Sequence, residues 1–364
     1  MRIRRRSMFI VVLFLSITGF AAMSIATAAS AAPRAGTATP STPGRGPSRS
    51  SSLLDNTGRM DVNNLDMFVT NHGSIAYDLT TGNAGLIFPR GSGKTAIFAA
   101  GPWIGAMVGG QVRVVLGEYV QEYTPGPMSG GTFQPDRSEF RNYRVDRSGA
   151  GRDDYLAYAV PQGAPVDGFG NPLVLGDVTI WSVFNDADPS LHINQAGSTA
   201  PLGIEVQQTV FAFNRPGPLG NVIFVKWKLL NRGSDTLQQT YFSLWSDPDV
   251  GSGLDDLTGC DTTLALGYAY NATNADGVYG AAPPASGFQL LRGPLVPVSP
   301  GVNDTLGMTA FNMYIGGTDP TSAIETYNSM QGLAPDGSPI HENGNLADPV
   351  TTYRFPGDPT TGTG

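Results

Sequence analysis

Glycine and proline interrupt this sequence so often that a helical bundle or a coiled coil is excluded. The 364 residues include 47 glycines and 28 prolines, about a fifth of the chain, where roughly 12% is usual. They show no triplet period, which excludes a collagen-like chain. Hydrophobic residues make up 40% of the sequence, which is enough to bury a core. The sequence therefore predicts a turn-rich all-β protein.

The first 28 residues have the three parts of a secretory signal peptide. A basic segment, residues 1–6, precedes an apolar run from Met8 to about Met23, and small residues follow, with the best cleavage site at residues 26–28. The apolar run is short for a membrane anchor and has no stop-transfer pattern after it. We therefore expect export by the general secretory route, cleavage after residue 28, and no stable membrane span afterwards.

Two further segments follow the leader. Residues 29–53 are rich in Pro, Ser, Thr and Gly and predict a disordered linker. Residues 54–364 have the patterning of a folded β-sandwich region. The last residues form neither a recognisable strand nor an anchor, so we expect the natural protein to continue past Gly364.

Short runs with alternating polarity predict the strands. Residues 203–213 alternate well, and residues 222–230 place Lys226 and Lys228 on the face opposite Trp227. Residues 238–245 follow after a polar loop, so the two runs predict a hairpin. Many such runs separated by Gly/Pro turns predict a large antiparallel β-sandwich, or two packed sandwiches, with long Gly/Pro-rich loops.

Removal of the leader makes the chain strongly acidic. Residues 1–28 contain four arginines and no acid, so 18 basic residues remain against 30 acidic ones, a formal charge of −12. An acidic surface repels phosphate backbones, which argues against a nucleic-acid partner. It favours divalent cations instead.

Aspartates gather in one Gly-rich stretch that the sequence predicts as a calcium site. Hard oxygen ligands suit Ca²⁺, and carboxylates crowded together need a cation to offset their repulsion. A second acidic turn follows the aromatic run 180–184, and the two turns share a site if their strands lie in one sheet. The candidate metal ligands are Asp247, Asp249, Asp255, Asp256 and Asp261 of the stretch and Asp186 and Asp188 of the turn. Two alternatives stay open: a solvated loop whose aspartates cap turns, or catalytic carboxylates for glycoside hydrolysis.

The sequence offers no nucleophile–base set, so we assign no catalytic or cofactor-binding residue and favour a non-enzymatic protein. Cys260 is the single cysteine and has no histidine near it in sequence, which indicates a buried or turn thiol. His192 is interpreted as a surface residue. A group of aromatic residues is a candidate sugar-stacking face, although core roles are the commoner use. The group is Trp103, Tyr119, Tyr123, Tyr155 and Tyr158.

Several segments resemble a group of large exported bacterial proteins of uncharacterised function. These proteins usually carry fibronectin type III-like modules and a C-terminal type IX secretion sorting domain. The resemblance covers most of residues 60–357 and implies an exported β protein, without bringing known catalytic residues. The sorting domain is absent here. The segments that carry the resemblance are residues 203–215, 224–231, 241–251, 255–261 and 268–274, with 63–71 and 101–105 upstream.

These observations predict a secreted or cell-surface protein with a structural, adhesive or binding role, stabilised by calcium. Its expected partners are an extracellular glycan or a cell-surface protein. The alternative is an extracellular polysaccharide-acting hydrolase or a carbohydrate-binding module.

Overall fold

Strands account for 42% of the chain and helices for 9%. The computed structural model describes residues 56–119, 122–135, 137–299, 301–315 and 318–357, together with the backbone of residues 7–17. The predicted linker, residues 29–53, and the predicted cleavage site, residues 26–28, lie outside the described residues.

The strands in the first half of the chain are β1 (Ser7–Ile17), β2 (Thr57–Met60), β3 (Asp66–Thr70), β4 (Leu86–Ile87), β5 (Thr95–Ile97), β6 (Ala99–Val108), β7 (Gln111–Leu116), β8 (Thr124–Pro125), β9 (Tyr143–Asp146) and β10 (Val178–Asn185). The second half adds β11 (Ile204–Ala212), β12 (Val222–Asn231), β13 (Gln238–Asp247), β14 (Asp256–Asp261), β15 (Leu266–Asn271), β16 (Ala275–Asp276), β17 (Gly280–Ala281), β18 (Ala285–Arg292), β19 (Leu295–Ser299), β20 (Val302–Thr305), β21 (Ile340–His341) and β22 (Val350–Thr351).

Helices are few and short. Helix α1 (Arg152–Asp154) continues into a π-helical turn (Tyr155–Ala159) and a 3₁₀ turn (Val160–Gln162), and two further 3₁₀ turns are Pro218–Asn221 and Glu342–Gly344. Helix α2 (Ala323–Met330) begins at Ser322, whose hydroxyl accepts a hydrogen bond from the Glu325 backbone N–H at 3.3 Å. Such an N-cap offsets one of the unpaired donors of the first turn.

One large antiparallel sheet forms the first layer. Its strand order is β14–β15–β18–β1–β12–β11–β10–β8, and β9 also pairs with β10. The second layer contains β13–β6–β7 and β2–β3–β4–β5, which Ile75 connects by bridging Val69 on one side and Ala100 on the other. Every pair of strands in both layers is antiparallel, as expected for sheets built from short connections.

The main core lies between these two layers. Buried side chains of the large sheet, such as Val206, Val225 and Trp227, belong to one cluster with Val69 and Ile104 of the second layer. The prediction of an all-β, sandwich-type fold is therefore confirmed. Within the described residues, no helix is both apolar and long enough to cross a membrane.

The predicted hairpin of residues 222–245 is wrong. Strand β12 pairs with β11 and β1 in the large sheet, whereas β13 pairs with β6 in the opposite layer. The loop between them crosses from one layer to the other, so that the Trp227 and Phe242 rings meet at 5.6 Å between centroids. Alternating polarity does not determine which strand is the partner. Because β11 and β1 occupy the two edges of β12, β13 pairs with β6 instead.

The apolar run of the predicted leader lies inside the large sheet. Strand β1 pairs with β12 on one side and with β18 on the other. The rest of residues 1–28 lies outside the described part of the chain.

Candidate functional site

A cleft of about 740 Å³ opens beside strand β13. Three aromatic residues and three acidic residues on its walls carry the chemistry, and several apolar side chains complete it. The six are Trp103, Trp245, Tyr314, Glu118, Asp247 and Asp319. Concave, mainly apolar sites with a few convergent polar groups are the usual form of small-ligand sites.

The pairing of β6 with β13 builds the aromatic wall. Trp103 lies opposite Ser243 and Trp245 lies opposite Gly101, so the two tryptophans are diagonal neighbours on one face. Their rings are stacked, 6.2 Å apart between centroids and only 8° from parallel. Trp103 is only 4% exposed and belongs to an interior cluster, so the partly buried Trp245 is the ring of the pair that faces the cleft.

Hydrogen bonds tie the polar groups to this wall. The Trp245 Nε1–H donates to the Tyr314 hydroxyl at 2.5 Å, and the Tyr119 hydroxyl donates to the Asp247 carboxylate. The Tyr119 ring also packs edge-on against Trp245 at 5.1 Å between centroids. These contacts fix the carboxylate of Asp247 beside the aromatic surface.

Burial raises the pKa of two acids on the wall, Glu118 and Asp247. It raises the pKa of Glu118 to about 7, although the Asn194 side-chain amide donates to that carboxylate at 3.1 Å. Burial also raises the pKa of Asp247, partly offset by the bond from Tyr119. A cleft with perturbed carboxyls beside flat aromatic rings suits ligands that carry both C–H faces and hydroxyl donors.

The acidic stretch begins at the rim of this cleft, and the structure keeps four of its five aspartates near one another. Asp247 ends β13, Asp249 follows in the loop, and Asp256 begins β14. The Asp256 carboxylate accepts from the Val250 backbone N–H at 2.7 Å, and the Asp255 carboxylate accepts from the Asn271 amide at 2.7 Å. Their closeness is also electrostatic, because Asp247 raises the pKa of Asp249 and Asp249 raises that of Asp256.

Two glycines let carboxylates approach the loop backbone. Gly251 has φ +74°, and a Cβ there would lie 2.2 Å from an Asp276 carboxylate oxygen. A Cβ on Gly253 would lie 2.1 Å from an Asp249 carboxylate oxygen. A larger residue at either position would displace a carboxylate. Asp276 therefore also belongs to the cluster, although the sequence did not predict it as a member.

The cluster contains oxygens that the described chain leaves without donors. Asp255 Oδ1, Asp256 Oδ1 and Asn271 Oδ1 are buried and accept no hydrogen bond from any described residue. Burial raises the pKa of Asp249 to about 6 and that of Asp256 to about 7. Within the described residues, however, no three His, Cys, Asp or Glu side chains converge in a metal-ligand arrangement.

Three predicted ligands lie elsewhere. Asp261 ends β14, about 17 Å from Asp256 along the strand, where it accepts from the Thr263 and Leu264 backbone N–H groups. Asp188 accepts from the Ser190 backbone and hydroxyl groups and so caps a turn. These two residues fit the alternative of turn-capping aspartates.

Asp186 is fully buried in a separate cluster. Its carboxylate accepts from the Leu202 and Ile204 backbone N–H groups at 2.5 and 2.6 Å, and its carbonyl contacts His192 at 2.8 Å. His192 is only 5% exposed, so its predicted surface position is wrong. Strands β10 and β13 lie in different sheets, so the condition for a shared acidic site is not met.

The candidate aromatic face is divided between the cleft and the core. Tyr119 lines the cleft, and Trp103 lies behind the cleft wall at 4% exposure. Tyr123 and Tyr155 are fully buried in the core, and Tyr158 is 51% exposed. The sequence did not indicate Glu118, because it belongs to no cluster of acidic residues and reaches the cleft only through the fold. Cys260 is buried, and burial raises the pKa of its thiol to about 12, which makes it a poor nucleophile.

Comparison of the chain with protein-family models, with curated proteins and with solved structures finds no match.

Proposed function

We propose that the protein is exported and binds an extracellular glycan in the cleft beside β13. The observation that carries this proposal is the partly buried Trp245 ring, backed by the buried Trp103, next to buried carboxylates. Sugar rings present C–H faces that pack on aromatic rings and hydroxyls that donate to carboxylates. This function is a binding role of the kind that the sequence predicts.

Titration of neutral oligosaccharides by calorimetry tests the proposal. Trp245→Ala removes the tryptophan ring that faces the cleft and is expected to weaken binding by about tenfold or more. Phe169→Ala is the matched control, because Phe169 is an aromatic residue that is 93% exposed and does not line the cleft. Equal affinity of the two variants, or no binding of any neutral glycan, would contradict the proposal.

A second candidate function is hydrolysis of a polysaccharide in the same cleft. Glu118 and Asp247 both line it, and a pKa of about 7 suits Glu118 to proton donation near neutral pH. Glycoside hydrolases use two such carboxyls. Release of reducing ends by the wild type, lost in Glu118→Gln with glycan affinity retained, would support hydrolysis. Binding without release by the wild type would assign a carbohydrate-binding module.

Calcium is the proposed stabilising ion of the acidic cluster. The buried, unpartnered oxygens of Asp255, Asp256 and Asn271 support it, since Ca²⁺ takes carboxylate and amide oxygens. Calcium at a hundred times its dissociation constant would stabilise the fold by about 2.7 kcal/mol. Melting with calcium and with chelator measures this effect. Asp256→Asn should abolish the difference and Asp261→Asn should keep it, whereas equal melting temperatures of the wild type would refute calcium binding.

Export and kinship to the large exported bacterial proteins with type IX sorting domains are part of the same proposal. They rest on the leader and on the resembling segments. Fractionation of producing cells, with mass measurement of the exported chain, tests them. A chain found outside the cell and shortened by residues 1–28 is expected.

A further inference from the structure

Export, as proposed above, would empty a position inside the large sheet. Strand β1 belongs to the segment that cleavage removes, yet it pairs with β12 over nine residue pairs and with β18 over seven. Without it, the backbones of β12 and β18 are separated by about twice the usual strand spacing, about 9.6 Å. We call this position the β12–β18 gap.

Both walls of the gap keep their outer neighbours. Strand β12 stays paired with β11, and β18 stays paired with β15. The edges that face the gap then carry N–H and C=O groups without ladder partners. Unpaired edges of this kind are templates for an added strand. Because β12 and β18 both run antiparallel to β1, one incoming strand can pair with both of them.

The two faces of the gap differ in chemistry. On the core side, β12 presents Val225, Trp227 and Leu229, all fully buried. On the other side it presents Lys226 and Lys228, two of the three lysines in the sequence. Positions in the gap are numbered by the β1 residue that occupies them, and we call these register positions. Arg292 of β18 adds a third positive charge, because both Arg292 and Lys226 pair with register position 11. Basic residues are scarce in this acidic chain, so their concentration along one face of the gap selects for an acidic partner.

We propose that the β12–β18 gap of the exported protein binds an extended strand of a partner polypeptide with alternating acidic and apolar residues. The acidic residues take register positions 9 and 11, opposite Lys228 and Lys226. Apolar residues take positions 8, 10 and 12, opposite Leu229, Trp227 and Val225. Cross-strand pairs of opposite charge favour this register, and a shift by one residue places charge against the core.

Two peptides of equal length and equal charge test the inference on the exported, leader-free protein. Both have the sequence of residues 7–17; one carries Phe9→Glu with Val11→Glu, and the other carries Ile10→Glu with Val12→Glu. The first is expected to raise the melting temperature and to slow amide exchange in β12 and β18, but not in β7. It should bind at least about tenfold more tightly than the second.

Reversal of the charges provides the reciprocal measurement. Lys226→Glu with Lys228→Glu should weaken the glutamate peptide at positions 9 and 11 and favour the same peptide with lysines there. Both lysines are only partly buried, so the variant is expected to fold. Melting in the absence of peptide checks this, and the wild-type comparison of the two peptides stands without it.

Three outcomes would overturn the inference. Equal binding of the two peptides would show that register and charge play no part, and slow exchange in β12 and β18 without peptide would show that the strands close on each other. Retention of residues 7–17 in the exported chain would mean that the gap is permanently filled. Mass measurement shows whether the leader has been cleaved, so it distinguishes retained residues 7–17 from a gap that is present but does not bind. Glycan titration tests the cleft independently of both.

Discussion

Asp247 is the residue that joins the cleft to the acidic cluster. Its carboxylate accepts from the Tyr119 hydroxyl on the cleft side, and its charge raises the pKa of Asp249 on the loop side. A partly buried carboxylate depends on its donors, since a hydrogen bond to a charged group contributes more than a neutral one. We therefore expect stability and the proposed ligand binding to be coupled at this position.

Tyr119→Phe should destabilise the protein by about 1–2 kcal/mol above pH 7, because Asp247 loses its hydroxyl donor while it stays ionised. Urea unfolding measures the change. Tyr77→Phe is the control: its ring packs on Tyr119 at 5.6 Å, and within the described chain its hydroxyl makes no bond to Asp247. Equal losses in both variants would contradict a specific contribution of the Tyr119–Asp247 hydrogen bond.

Stability should fall as the pH rises from about 4 to about 8. Burial raises the pKa of Glu122 to about 8 and that of Asp256 to about 7, well above their values in an unfolded chain. The folded protein therefore binds more protons in this window, and its advantage is lost as these acids ionise. Each group contributes a slope of up to about 1.4 kcal/mol per pH unit while it titrates in one state only.

Glu122→Gln isolates one of these groups. The variant should flatten the fall in unfolding free energy between about pH 4 and 8, because glutamine carries no charge to desolvate. Asp153→Asn is the control, since the Asp153 side chain is 95% exposed. A slope unchanged by Glu122→Gln would contradict the raised pKa.

The composition of the site was predictable from sequence only in part. The spacing of Asp249, Asp255 and Asp256 within one Gly-rich stretch indicated an acidic loop, and the structure gathers them. It could not indicate Asp276, which reaches the loop only because Gly251 has no side chain. Tyr119 and Asp247 meet across 128 residues of sequence, a contact that arises because β7 and β13 pair with the two edges of β6.

At the scale of elements, alternation predicted the strands and not their partners. The faces of β12 are as expected, with Trp227 buried and Lys226 partly buried. The polar loop after β12 was interpreted as a hairpin turn, yet it carries the chain to the opposite layer. Polarity patterns determine which face of a strand is buried, whereas pairing depends on which sheet edge is free when the strands assemble.

The contact of Trp227 with Phe242 provides a test of the two-layer arrangement. Each residue changed singly to Ala should destabilise the fold, with Trp227→Ala costing about 3–5 kcal/mol because it is fully buried. The double variant should lose less than the sum, by about 0.5–1.5 kcal/mol, as expected for an aromatic pair. Unfolding in urea gives all three values.

A matched cycle shows whether the coupling is specific to the contacting pair. Trp227 with Phe213 should be additive, since Phe213 packs on Phe211 and Phe224. Additivity of Trp227 with Phe242 would place β13 away from β12 and contradict the sandwich.

At the scale of the whole molecule, acidity would restrict which glycans the proposed binding site accepts. The chain without its leader has a formal charge of −12, and Glu118, Asp247 and Asp319 add acids at the cleft itself. A uronic or sulfated glycan is repelled over about a Debye length, roughly 10 Å at 0.1 M salt, whereas a neutral glycan is not. The cleft should therefore discriminate by charge before any sugar hydroxyl is recognised.

Neutral oligosaccharides should accordingly bind with an affinity that changes less than about twofold between low and high salt. An anionic oligosaccharide with the same backbone should bind measurably only at high salt, when the field of the acids is screened. Glu118→Gln removes one of these charges and should reduce the discrimination against the anionic ligand at low salt. Asp153→Asn removes the same charge from the exposed surface and should leave it unchanged. Tighter binding of the anionic ligand as salt falls would show that the cleft acids do not select the ligand.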